Sequence, residues 1–225
     1  MTSKRVYLLR HGQAEHNVND DFDIHDAVLT PLGRQQCTDF ARANTEFQDG
    51  LEVIVTSAFR RTLATTLLAL PDAYARLAPI GKVVLLPQLQ ETHDYPCDTG
   101  SDRAVLESDP EFRDMPVDWS VLTPDWNSKV GFYAPSREAL VARARWVRRY
   151  VRSRPEERIV LVGHGGIFRE IDGRRTGDPA TVASLTRWGN VECRVYRFLS
   201  DEDEEAAMVP VEEPPFSYER VDCVA

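Results

Sequence analysis

Cysteine is scarce in this 225-residue chain: Cys37, Cys97, Cys193 and Cys223 are the full set, and no two form a CxxC pair. That scatter excludes a disulfide framework or a thiolate zinc cluster as the organising device, so the thiols are expected to be structural or incidental. Long apolar runs are absent too. Nothing approaches the ~18 residues that a membrane span needs. The apolar stretch near the start, Val6 to Leu9, is too short for the core of a signal peptide. Positive charge is in deficit, since 27 Lys and Arg against 36 Asp and Glu leave a formal net charge of −9. Such a chain is a poor partner for nucleic acid or an anionic membrane, although a local basic pocket can still hold a small anion. The expectation is a cytoplasmic protein that binds neither nucleic acid nor membrane.

What is present suits one domain with a sizeable core. Hydrophobic residues make up 42% and charged residues 28%, the ordinary globular range. Short apolar runs at Lys4–Leu9, Glu52–Thr56, Lys82–Leu86, Arg158–Gly163 and Val191–Leu199 read as strands. Between them lie helical patterns. Thr30-Pro31 supplies an N-cap and a first-turn proline for a helix running to about Phe47. A second helix spans Arg60–Leu70 and is ended by Pro71. A third spans Ser136–Arg154, where Leu140, Val141, Ala144, Val147 and Val151 share one face. Strands alternating with helices imply an α/β fold with three layers, α/β/α, and a mostly parallel central sheet.

Two segments break that rhythm. Residues 91–135 form a long proline-containing insertion before the main helix at Ser136–Arg154, with one short helix expected near Asp102–Glu107. Residues 201–225 open with DEDEE and hold Pro210, Pro214 and Pro215. They are expected to be an acidic, partly disordered or surface-draped tail. The domain itself is thus placed at residues 1–200.

Chemistry concentrates at strand ends. Arg10-His11-Gly12 follows the first strand directly, and Gly163-His164-Gly165-Gly166 follows the fourth. In an open parallel sheet, ligands sit beyond the carboxyl ends of the strands. If the two strands are neighbours, both imidazoles face one crevice. Arg61, at the start of the helix after the second strand, can reach the same place, beside a helix end that favours anions. Guanidinium forks suit phosphate oxygens. A neutral imidazole can attack phosphorus, and a protonated one can donate to a phosphoryl oxygen.

These residues carry a resemblance. Arg10-His11-Gly12 followed by Asn17 resembles the RHGxxxxN signature of the histidine phosphatase superfamily, in its phosphoglycerate-mutase-like branch. Leu29 to Gln36 is similar to that family's LTxxGxxQ helix start, and Ser57 to Thr65 to its SPLxRAxQT segment. Leu89-Gln90-Glu91 matches LxE, and Gly163 to Gly166 matches the second-histidine motif. The likeness covers roughly residues 5–199. It implies that His11 is the nucleophile, that Arg10, Arg61 and His164 hold the phosphoryl oxygens, and that Glu91 is the acid and base. It also implies that Asn17 and Gly165 line the phosphate site. No metal or cofactor is implied, because arginines and an imidazolium supply the positive charge. The partner would be a small phosphorylated substrate. The sequence carries no signal for an oligomeric state.

The segment Thr92–Ser101 departs from the ERHYG stretch of glycolytic mutases and is closer to the LQE…PCDTGS pattern of small phosphatase-like members. A phosphomonoesterase therefore leads, with a phosphoglycerate-type mutase and a non-catalytic phosphate-binding module as the alternatives. Other candidates have two readings each. His93 or Asp94 could be a second acid, or plain loop residues. His16 and His25, with Asp20, Asp21, Asp23 and Asp26, could bind a metal, or form a solvated lid. Arg103, Arg113 and Lys129 could meet a second charged group of the substrate, or be solvated. Trp119, Trp126, Phe132 and Tyr133 could line a pocket, or be buried.

Overall fold

The computed structural model describes residues 4–173 and 188–211. Six strands form one sheet: β1 (Arg5–Arg10), β2 (Val53–Thr56), β3 (Val83–Leu85), β4 (Arg158–Gly163), β5 (Cys193–Phe198) and β6 (Met208–Pro210). Their order is β3-β2-β4-β1-β5-β6. The first four are mutually parallel, whereas β5 runs antiparallel to β1 and β6 antiparallel to β5. The α/β expectation holds, with an antiparallel edge that the apolar runs alone do not reveal.

Two cores sandwich the sheet, as the period of two along each strand demands. On β1, Tyr7 and Leu9 face one core together with Phe40, Leu63 and Val160. Val6 and Leu8 face the other, with Ala144, Val147, Ile167 and Phe168. The first layer is built from α1 (Pro31–Ala43), α2 (Thr45–Asp49), α3 (Arg60–Ala69) and α4 (Pro71–Leu77). The second comes from α6 (Arg137–Ser153) and α7 (Gly165–Ile171), while α5 (Arg103–Ser108) lies in the insertion. Thr30 caps α1 by accepting from Gly33 N at 3.0 Å, a contact worth ~1 kcal/mol. Ser136 caps α6 in the same way through Ala139 N.

Several boundaries differ from the sequence reading. The helix expected to reach Phe47 breaks at Asn44, whose φ/ψ of −131/45° lies off the helical region. Leu32, expected on its apolar face, is 42% exposed. Pro71 does end α3, but it also opens α4, where a proline at the first position costs nothing. The acidic segment does not leave the domain at residue 200. Ala206 is fully buried, and β6 extends the sheet by pairing with β5. Glu204 and Glu205 lie on the arginines of α6, with Arg145 Nε 2.7 Å from Glu205 Oε2. The remainder of the expected tail, 212–225, lies outside the described residues, as does Cys223. Cys37, Cys97 and Cys193 are buried. No described helix is long and apolar enough to cross a membrane.

Candidate active site

Sheet order decides the site. Because β1 and β4 are adjacent and parallel, with Arg10 opposite Gly163, His11 and His164 leave the sheet side by side. Their ring centroids are 5.3 Å apart. Gly12 is required where it stands, since a Cβ there would lie 2.7 Å from Gly33 O and 2.9 Å from Cys37 Sγ.

His11 is buried and its tautomer is fixed on both sides. Nδ1 lies 2.7 Å from the carbonyl oxygen of Gly12, so it must carry the hydrogen and donate. Nε2 accepts from Arg61 Nε at 3.3 Å and therefore bears the lone pair. Burial, then the Arg61 and Arg10 guanidiniums, hold the imidazole well below its ordinary pKa, so it stays neutral.

Arg61 enters from the first turn of α3 and is fully buried. Its Nη1 donates to Cys97 O at 2.8 Å, and its Cζ lies 4.7 Å from the Phe59 ring centroid. Nη2 stands 4.0 Å from Asp98 Oδ1 and makes no hydrogen bond. One donor of the fork is thus poised for an incoming oxygen. Arg10 is oriented by its Nη1, which donates to Trp188 O at 2.5 Å.

His164 caps α7 from the β region and is fully buried. Its Nε2 lies 3.0 Å from Ser57 Oγ, and its Nδ1 has no hydrogen-bond partner. Burial, Arg61 and His11 push it well below its ordinary pKa, so the ring is neutral, not charged as a phosphate-holding imidazolium would be. An arriving dianion would reverse that balance.

Glu91 is held at the N-terminus of α7. Oε2 accepts from Gly166 N at 3.0 Å, and Oε1 from Ile167 N and Thr92 N, each at 2.9 Å. A carboxylate has about four acceptor positions, so one remains. Gly166 makes room for this arrangement, because a Cβ there would lie 2.8 Å from Glu91 Cδ and closer still to Oε1. Gly165 is less constrained: its Cβ would meet Trp188 Cβ at 3.4 Å and Arg10 Nε at 3.5 Å. Gly166→Ala should therefore displace the Glu91 carboxylate, the flexible partner, while sparing the backbone. If Glu91 is the acid and base that the resemblance implies, turnover of an alkyl phosphate should fall by about 10²–10⁴-fold, with little change in Tm. Activity within twofold of the parent would show that Glu91 does not need this seat.

Asn17 sits close by, but its side chain is engaged in the turn. Oδ1 accepts from Ala14 N at 3.0 Å, and Nδ2 donates to His16 Nε2 at 2.9 Å. His16 itself belongs to the site, 5.8 Å from His11 between ring centroids. Burial and Arg61 take its pKa down to about 3. The solvated-lid reading of His16 is thus corrected. The bridge between Ala14 and Leu29 folds the loop inward, a pairing too short to leave a pattern in the sequence. Asp26 is buried and pins the loop by accepting from Arg60 N and Ser101 N. His25, Asp20, Asp21 and Asp23 are exposed. Among the described residues no group of His, Cys, Asp and Glu could hold a metal.

His93 and Asp94 are exposed. The buried acid in that loop is Asp98, which sequence reasoning passed over. Burial alone would raise Asp98, but His93, Arg61 and Lys129 together hold it below the usual range. Trp126 is core, wedged against Phe59 and Gly100. Trp119 packs beside the same core, and Phe132 is exposed. Arg103 pairs with Glu107, and Arg113 lies near Asp114, both at the surface. Lys129 alone of the three basic candidates reaches the site, where its Nζ donates to Glu91 O at 3.0 Å.

Known proteins resemble this chain in sequence and in fold. A probable phosphatase of Schizosaccharomyces pombe is 27% identical over 164 residues, covering 72% of this chain and 74% of that protein. The mycobacterial glucosyl-3-phosphoglycerate phosphatase superposes with a TM-score of 0.60 at 21% identity, over 94% of this chain and 99% of that one. A phosphoserine phosphatase of Entamoeba histolytica, solved with 3-phosphoglyceric acid, gives 0.57 at 19% identity, over 97% and 99%. At such identities these two structures show the shared fold. The family model for branch 1 of the histidine phosphatase superfamily matches residues 6–208, and the chain belongs to that family.

Proposed function

We propose that the protein is a cytoplasmic phosphomonoesterase that passes the phosphoryl group of a small ester to His11 Nε2 and then to water. The observation that supports this reading is the fixed tautomer of His11: a donor tied to Gly12 O on one side, and on the other a buried lone pair at Nε2 held only by a long 3.3 Å contact from Arg61 Nε. In the first step Nε2 attacks phosphorus, the ester P–O bond breaks, and Glu91 gives the departing oxygen its proton. In the second, Glu91 takes a proton from water, the hydroxyl oxygen bonds to phosphorus, and the P–N bond breaks. Arg10, the open Nη2 of Arg61 and His164 would hold the equatorial oxygens, where charge is spread in the transition state. With Ser57 Oγ donating to His164 Nε2, the Nδ1–H is the one offered to phosphate. Asn17 acts here through the turn that seats His16, and Gly165 by letting Arg10 lie close.

The names borne by the relatives, all phosphatases and two of them named for phosphorylated small molecules, support hydrolysis over transfer to a second substrate. A mutase would have to return the phosphoryl group to the bound molecule. Assaying a panel of phosphate esters for released phosphate, with 3-phosphoglycerate checked for isomerisation, tests the proposal. Phosphate release without isomerised product is expected. Since the Arg10 and Arg61 guanidiniums supply the positive charge, release should persist at full rate in excess EDTA. Activity lost to EDTA and restored by a divalent ion would contradict the scheme.

A further inference from the structure

Two cations beside Glu91 have no work in the scheme above. Lys129 and Arg143 both donate to the same main-chain oxygen, Glu91 O, at 3.0 and 3.2 Å. Arg143 is fully buried on α6, and its Nε and Nη1 have no hydrogen-bond partner. Among the described residues no carboxylate lies within ion-pair distance of either side chain. Buried donors are ordinarily satisfied, and buried charges ordinarily paired, so this cluster is left short of negative charge. Lys129 is also held at φ 57°, a left-handed backbone that disfavours any residue but glycine, asparagine or aspartate. The residue is buried, 9% exposed. Its Nζ is 5.9 Å from the Phe59 ring centroid, and the same ring lies 4.7 Å from the His164 centroid and 4.7 Å from Arg61 Cζ. The ammonium therefore borders the phosphoryl site from the insertion side.

We propose that Lys129 and Arg143 form a second cationic subsite, beside the phosphoryl site, that takes a second anionic group of the substrate, a carboxylate or a second phosphate. The proposal rests on the phosphomonoesterase reading and narrows it to doubly anionic esters. A phosphoryl dianion is matched by Arg10, Arg61 and His164, whereas Lys129 and Arg143 share only a neutral carbonyl. Burial and then Arg143 depress the Lys129 ammonium to about 7 against the opposing pull of Asp98 and Glu91. A bound anion would hold it charged. Arg143 reaches the cluster from α6 and Lys129 from the insertion, so recognition of the second group would couple the insertion to the body of the domain. The competing role for the pair is to fix the Glu91 backbone, which would serve every ester alike.

Matched substrates separate the two. Glycerol 3-phosphate and 3-phosphoglycerate differ by a carboxylate, and fructose 6-phosphate and fructose 1,6-bisphosphate by a phosphate. The wild type should favour the more acidic member of at least one pair by about tenfold or more in kcat/KM, and which pair shows it identifies the group. Lys129→Met should cut that ratio about tenfold, Arg143→Gln should do likewise, and Lys129→Arg should retain most of it. Calorimetric binding of the same esters to His11→Ala enzyme gives the preference without turnover. Ratios near one in the wild type, or equal losses on both members in the variants, would overturn the subsite. Preference in binding with no hydrolysis of any ester would instead strike the catalytic reading and leave the subsite standing.

Discussion

His11→Ala should lower turnover by more than about 10⁴-fold, because it removes the atom proposed to bond phosphorus. The fold should survive. The main chain at His11 is held by its N–H to Gly163 O and by Val191 N and Asn190 Nδ2 to its carbonyl, none of which involves the imidazole. Phosphate should still bind, since Arg61 keeps its Nη1 bond to Cys97 O and its seat over Phe59. His164→Ala should behave differently. It would slow turnover by loss of a donor to the phosphoryl oxygens while still allowing the covalent adduct to form. Single-turnover kinetics of both variants, with phosphate affinity from calorimetry, check the pair. A His11→Ala enzyme retaining more than a few per cent of activity would remove the nucleophile assignment.

The second large effect concerns leaving groups. An alkyl alkoxide needs a proton as it departs, whereas p-nitrophenolate leaves without one. Glu91→Gln should therefore cost an alkyl phosphate about 10²–10⁴-fold and p-nitrophenyl phosphate far less in the first step. The amide also changes the seat: whichever oxygen its NH₂ replaces, it cannot accept from the main-chain N–H that faces it, Gly166 N or Ile167 N. Burst kinetics with the aryl ester resolve the steps. A fast burst followed by slow release would show that the first step survives while activation of water is lost. Equal losses on both esters, with no burst, would mean that Glu91 serves neither step as assigned, and the buried Asp98 beside Arg61 becomes the next acid to test.

Much of the site is legible because it is built from short-range facts. His11, His164 and Arg61 each stand within a few residues of the end of an apolar run, and a parallel sheet collects such ends. Glu91 is harder, since its place at α7 depends on Gly166 lacking a side chain some 75 residues away, a steric relation with no local signature. His16 was unreadable in a polar, aspartate-rich loop, because its burial comes from one bridge between Ala14 and Leu29. Arg143 was hidden by its type: the apolar face of α6 has Leu140, Ala144, Val147 and Val151, and nothing in that spacing singles out an arginine turned inward. The acidic segment was misjudged for a related reason. DEDEE reads as solvated by composition, but the arginines on the outer face of α6 give it a partner, and the apolar residues after it close the sheet edge.

The central claim is that phosphorus bonds transiently to His11. Rapid quenching in base of the enzyme mixed with a ³²P-labelled ester, followed by peptide mapping, tests it most directly. The label should be acid-labile and base-stable, as a phosphoramidate is, and should reside on the peptide containing His11, with stronger accumulation in Glu91→Gln. Label on the peptide containing His164, or turnover with no labelled protein at any quench time, would contradict the account.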